Sequence, residues 1–135
     1  MTEEGKAVSY HFTKTMDRRF EKVVSDVTEA LKQEGFGILT EIDVQQTLKQ
    51  KLGVDFRKYC ILGACNPPLA HQALQVEDKI GAMLPCNVVV QETDDGKVAV
   101  SAVDPIASMQ AVSNPKLMGV AQTVQQKLKA VIEAL

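Results

Sequence analysis

Tyr59-Cys60-Ile61-Leu62-Gly63-Ala64-Cys65-Asn66-Pro67-Pro68 and, further on, Leu84-Pro85-Cys86-Asn87-Val88-Val89-Val90 decide how this chain folds. Tyr59 to Ala64 is a short apolar run. Its length, its tyrosine and its isoleucine favour a buried strand, although periodicity alone does not exclude a helix. Asn66-Pro67 then reads as a helix start. An asparagine accepts a hydrogen bond from the first-turn amides, and a proline at the first helical position lacks only an N–H that the helix would not use. Leu69, Ala70, Ala73 and Leu74 continue that helix, and Gly81 punctuates it. Pro85 fits the entry of the next strand, where no ladder donor is required, and Cys86 to Thr93 is that strand. The unit is strand, helix, strand, and a Cys-Asn pair beside proline marks both junctions.

Downstream, Asp94-Asp95-Gly96 is a hairpin signal and Lys97 to Val103 is the returning strand. Asp104-Pro105 breaks it and opens a short irregular stretch. Asn114-Pro115 launches a last helix with Leu117, Val120, Ala121, Val124, Leu128, Val131 and Leu135 on one face. Upstream, residues 1–6 read as a loose tail. Val8, Tyr10 and Phe12 alternate with Ser9, His11 and Thr13, which marks a half-buried strand with His11 on its solvated face. Asp17 is the expected cap of a helix whose stripe is Phe20, Val23, Val24, Val27 and Leu31, with Gly35 as its left-handed stop. Phe36-Gly37-Ile38-Leu39 begins another strand. Asp43 caps a polar, narrow helix carrying Val44, Leu48 and Leu52, which Gly53 ends.

The order is strand, helix, strand, short helix, strand, helix, strand, strand, helix. Each long helix has one apolar stripe and needs a sheet face to cover. The fold class is therefore α+β: one domain over residues 7–135, with a largely antiparallel five-stranded sheet and the long helices on one face. Val88-Val89-Val90 is apolar towards both faces, so a partner, expected to be a second copy, covers the far side.

Composition bounds the function. The 135 residues carry a net charge of -2, with no basic stripe of the kind a nucleic-acid binder shows. No apolar run approaches the ~20 residues of a membrane span. Met1-Thr2-Glu3-Glu4-Gly5 is acidic and unlike a signal peptide, and three cysteines are an odd number for a disulfide framework. The expectation is a cytoplasmic chain with reduced thiols.

The candidate site residues are Cys65, Asn66, His71, Cys86 and Asn87. Asn66 is first a helix cap. Cys65 then sits beside a helix N-terminus, which lowers a thiol pKa by favouring the thiolate. Pro67 and Pro68 temper this, since they leave Leu69 and Ala70 as the first amide donors and make a poor anion cradle. Cys60 and Cys65 lie five apart and face opposite sides of one strand, so three cysteines do not converge. Cys65, Cys86 and His71 are close enough in sequence to meet, but there is no CxxC and no second histidine at ligand spacing. No metal and no cofactor are expected.

Gly63-Ala64-Cys65-Asn66-Pro67, Ala70, Ala73-Leu74, Gly81 and Leu84-Pro85-Cys86-Asn87-Val88-Val89-Val90 resemble the family catalogued as domain of unknown function 302. Gly35-Phe36, Ile42-Asp43-Val44, Leu52-Gly53 and Val103-Asp104-Pro105 fit the same pattern. The resemblance implies a small α/β domain with a TBP-like sheet (strand, helix, four strands, helix), often a dimer. It implies no catalytic residues, and the shape alone gives no licence to expect DNA binding.

Three functional readings follow. The first is a non-enzymatic homodimeric module that binds a small ligand or protein partner near the two Cys-Asn motifs. The second is a thiol enzyme or redox carrier using Cys65, with Cys86 as resolving thiol and His71 as base. The third makes the motifs purely structural.

Overall fold

A computed structural model describes residues 9–135 of the chain. The expected tail and Val8 lie outside the described residues. The strands are β1 (His11–Met16), β2 (Gly37–Asp43), β3 (Tyr59–Cys65), β4 (Cys86–Glu92) and β5 (Val98–Val103). The helices are α1 (Phe20–Gln33), α2 (Val44–Leu52), α3 (Pro67–Val76), the single turn α4 (Pro105–Ser108) and α5 (Leu117–Ala134), with a short 3₁₀ turn at Ile80–Met83. Without α2, α3 and the two short turns, this is the strand, helix, four strands, helix order.

The sheet runs β1-β5-β4-β3-β2, and every neighbouring pair is antiparallel. Strands β2 to β5 therefore form a meander, while β1 joins at the far edge beside β5. The alternation of strand side chains sorts the residues into two faces. Cys60, Leu62, Ala64, Cys86, Val88, Val90, Val98, Val100 and Ala102 face inward and are buried. Val23, Val27 and Leu31 of α1, with Leu128, Val131 and Ile132 of α5, pack into the same core. Each such buried Val or Leu contributes roughly 1.5–3 kcal/mol relative to exposure. The main core thus lies between the helices and one side of the sheet, and a smaller cluster of Ala73, Ile80 and Leu117 joins α3, the 3₁₀ turn and α5. The other side is open.

Local signals explain most boundaries. Asp43 Oδ1 accepts from Gln46 N–H at 2.9 Å, and Gly53 ends α2 at φ 68°. Gly35 closes α1 at φ 85°, and Gly96 makes the β4–β5 turn at φ 80°. Asp104 Oδ1 accepts from Ile106 N–H and caps α4. Two starts differ from expectation. Helix α1 begins after Arg19 with no side-chain cap, so Asp17 is not its cap. Helix α5 begins at Leu117, not at Pro115. Asn114 Oδ1 accepts from Lys116 N–H at 3.1 Å in a turn ahead of the helix, and Asn114 Nδ2 donates to the Val76 carbonyl at 2.6 Å and to Glu77 Oε1 at 3.2 Å, which ties the segment before α5 to the end of α3.

Two features shape the end of the sheet. The β2–β3 register passes from Ile38↔Ala64 to Thr40↔Gly63, so Leu39 is an unpaired bulge residue and is exposed. Gly63 has no room for a side chain. A Cβ there would meet Pro85 Cγ at 2.8 Å and would also overlap Thr40 Oγ1.

Candidate functional site

Where β3 ends and β4 begins, α3 crosses the end of the sheet and leaves an apolar cleft of about 270 Å³. Cys65 and Cys86 both line it, as do Leu39, Leu69, Leu74 and Pro85. The bulge delivers Leu39 to this cleft. Val124 of α5 and Phe36 close its back.

Cys65 is the last residue of β3, opposite Gly37, and is half-buried. Cys86 is the first residue of β4, opposite Ala64, on the core face and buried. Burial pushes its thiol up from the ordinary 9.0 to about 11, and the nearby charge of an ionised Cys65 adds to the shift. Cys86 is therefore neutral at physiological pH. Cys60 is likewise pushed up to about 11, by burial and then by the Glu41 and Asp43 carboxylates, and it does not line the cleft.

Asn66 is 9 % exposed and uses both arms of its carboxamide. Oδ1 accepts from Leu69 N–H at 3.4 Å, and Nδ2 donates to the Glu34 carbonyl at 3.3 Å. Its backbone carbonyl accepts from Ala70 N–H at 2.9 Å. One side chain thus caps α3 and holds the last turn of α1. The two amides that follow Pro67-Pro68 are both occupied, so this helix start has no donors left for an anion. Gly35 is part of the same joint, because a Cβ on it would press to 3.0 Å from Asn66 Nδ2. The peptide bond between Leu84 and Pro85 is cis.

The other two candidates lie elsewhere. His71 is exposed on α3 and does not line the cleft. Asn87, paired with Gly63, points to the open face of the sheet. The five candidates thus split into a trio around the cleft, one residue on the far face and one on the helix surface. Among the described residues, no three His, Cys, Asp or Glu side chains are grouped to hold a metal ion.

The sequence reading missed the hydroxyl chain on the open face. There, His11 Nδ1 lies 2.6 Å from Thr13 Oγ1, which lies 2.8 Å from Ser101 Oγ. The signal available was the His-x-Thr spacing on one strand face. Its cross-strand partner Ser101 is 88 positions away from Thr13, and only register reveals it.

No curated protein matches the chain. A crystal structure of an uncharacterized conserved DUF302 protein from Bacillus stearothermophilus superposes with a TM-score of 0.87 at 29% sequence identity, covering 93% of this chain and 98% of that one. The family model described as "Domain of unknown function DUF302" matches residues 12–135, which takes in the sheet from Phe12 onward, both long helices and the cleft beside α3. The chain therefore belongs to the DUF302 family.

Proposed function

We propose that this chain is a non-enzymatic binding module that holds a small, mostly apolar molecule in the cleft between α3 and the end of the sheet. The observation that carries this is the lining. It is apolar and sulfur-bearing, with Asn66 as its single carboxamide already hydrogen-bonded on both arms. Ligand sites are typically apolar concavities of a few hundred Å³. An acid, a base or an activated nucleophile would be needed for chemistry, and the cleft has no carboxylate or imidazole.

Titration with indole, followed by amide chemical shifts, tests the reading. Shifts should centre on Leu69, Ala70, Leu74 and Cys86, and Ala70→Phe, which fills the space, should abolish them. Shifts scattered over the surface, or unchanged in Ala70→Phe, would overturn it. The reading includes self-association through the β2–β3 half of the open face, where exposed Ile42 stands opposite Ile61. Sedimentation of a monomer at micromolar concentration would remove that part.

The thiol-redox alternative asks Cys86 to act as a resolving thiol. Its raised pKa works against that role, because the thiolate is the reactive form.

A further inference from the structure

The open face of the sheet carries a second depression, of about 490 Å³, on the side opposite the cysteine cleft. Its floor is aliphatic: Val89, Ala99 and Val103 from the two central strands. One bank is polar. Thr13 and Ser101 stand directly opposite each other across β1 and β5, and their hydroxyls continue the hydrogen-bonded chain that starts at His11 Nδ1. Asn87 and Gln91 project into the same space from β4. The far rim is the Tyr59 ring, with the Arg57 guanidinium 5.6 Å from its centroid.

The hydrogen-bond chain has two settings. With Nδ1 bare, Thr13 donates to the imidazole and Ser101 donates to Thr13, so Ser101 offers only lone pairs outward. With a proton on Nδ1, the imidazole donates to Thr13 and Thr13 donates to Ser101, which frees the Ser101 O–H to point into the depression. A ring proton therefore converts Ser101 into a donor. Arg57 Nε donates to Gln91 Oε1 at 2.9 Å, which occupies the Gln91 oxygen and leaves its NH₂ for the depression. With Nδ1 carrying a proton, Ser101 joins the carboxamide NH₂ groups of Asn87 and Gln91 and the bank is donor-rich. None of the lining residues is Asp or Glu, in a chain that has 17 of them, and the Arg57 guanidinium lies behind two of them, bonded to Gln91 and over the Tyr59 ring. Ser101 and Asn87 are diagonal neighbours across β4–β5, roughly 7–8 Å apart at the backbone, a spacing that one carboxylate with a hydrogen bond on each oxygen can span.

We propose that this depression is a second binding site, for a small carboxylic acid with a flat apolar ring. The ring lies over Val89 and Ala99 against Tyr59. The carboxylate accepts from Ser101 Oγ and the Asn87 amide, with Arg57 behind Gln91 and Tyr59. A second copy laid across this half of the face would bury the same hydroxyls and carboxamides against backbone-paired strands, and each one left unmatched would cost free energy. The β2–β3 half, with Ile42 and Ile61, lacks that polar bank.

Benzoate is the probe, with benzamide as its uncharged analogue of the same shape, titrated into the full chain and followed by amide chemical shifts. Benzoate should shift residues of β1, β4 and β5 on the open face and leave Leu69 and Leu74 of the cleft unmoved. It should bind several-fold tighter than benzamide. Ser101→Ala and Asn87→Ala should each weaken it by about fivefold, the worth of one hydrogen bond. Gln91→Glu keeps a partner for Arg57 and places a like charge in the depression, so it should weaken benzoate and not benzamide while the urea midpoint holds. Equal binding of the two probes, shifts confined to the cleft, or unchanged titrations in all three variants would each overturn the proposal. So would an open face on which Ser101→Ala and Asn87→Ala change self-association while benzoate shifts nothing. A failed indole titration would leave this test intact, because the two sites lie on opposite sides of the sheet.

Discussion

Alkylation of the three cysteines in the folded chain distinguishes a binding cleft from a redox site. The thiolate is the attacking species, so ionisation sets the first limit on rate. At about pH 8 a thiol of ordinary pKa 9.0 is roughly 9 % ionised, and one raised to about 11 is roughly 0.1 % ionised. Ionisation alone therefore slows Cys86 by roughly ninety-fold relative to an ordinary thiol. Its burial on the core face adds an access barrier, since reagent must reach a side chain that is 9 % exposed. Cys60, also pushed up to about 11 and 5 % exposed, is held back in the same way. Cys65 is half-buried and opens on the cleft, so it should react first. The assay is a time course with iodoacetamide read by peptide mass spectrometry, with a urea-unfolded control in which all three sites react alike. Cys86 labelled in the folded chain at the pace of the unfolded control would refute the reasoning and restore a reactive pair.

Removing the Asn66 side chain by Asn66→Ala deletes the α3 cap and the bond to Glu34, and should cost about 2 kcal/mol in urea unfolding. A loss of only a few tenths would mean that neither bond matters. Gly63→Ala forces a Cβ against Thr40 and Pro85 and should cost about 1–3 kcal/mol, whereas Gly81→Ala, with nothing within 4 Å of the new Cβ, should stay within about 0.5 kcal/mol; equal effects would show that the crowding at Gly63 is easily relieved. The raised pKa of Cys86 means that the folded state favours the neutral thiol. Its contribution to stability is intact below the ordinary 9.0 and is lost as pH rises towards about 11. At about pH 10 the chain should have lost roughly 1.4 kcal/mol from this group, and Cys86→Ala should remove that part of the pH dependence; an unchanged slope in the variant would contradict it.

The elements were legible because each had a chemical signal. Asp43-to-Gly53 and Asn66-Pro67 carry a cap or a stop in the residues themselves. Asp17 misled because a capping residue type alone does not place a cap; the chain turns two residues later, at Arg19. Asn114 misled because its local bond, Oδ1 accepting from Lys116 N–H, closes a turn ahead of the helix, while its Nδ2 is tied to Val76 and Glu77. The cleft was half legible. The Cys-Asn motifs pointed to Cys65, Asn66 and Cys86, but strand alternation sends Asn87 through the sheet to the other side. Leu39 was invisible as a lining residue, because a bulge leaves no trace in one strand read alone. The hydroxyl chain on the open face depends on a pairing between distant segments, which no local pattern encodes.

Strand β1 hydrogen-bonds along one edge only, and its partner β5 lies most of the chain away, whereas β2 to β5 pair with sequence neighbours. Closing so long a loop is entropically costly, and a strand held on a single side is the natural first place for local opening. The imidazole and the first hydroxyl of the relay ride on this strand. The open-face depression therefore exists only while β1 is docked, and a molecule bound there would act as a clasp on the edge of the sheet. Its presence should be felt as slower amide exchange along β1, far from the cysteine cleft, with exchange in β2 and β3 unaffected.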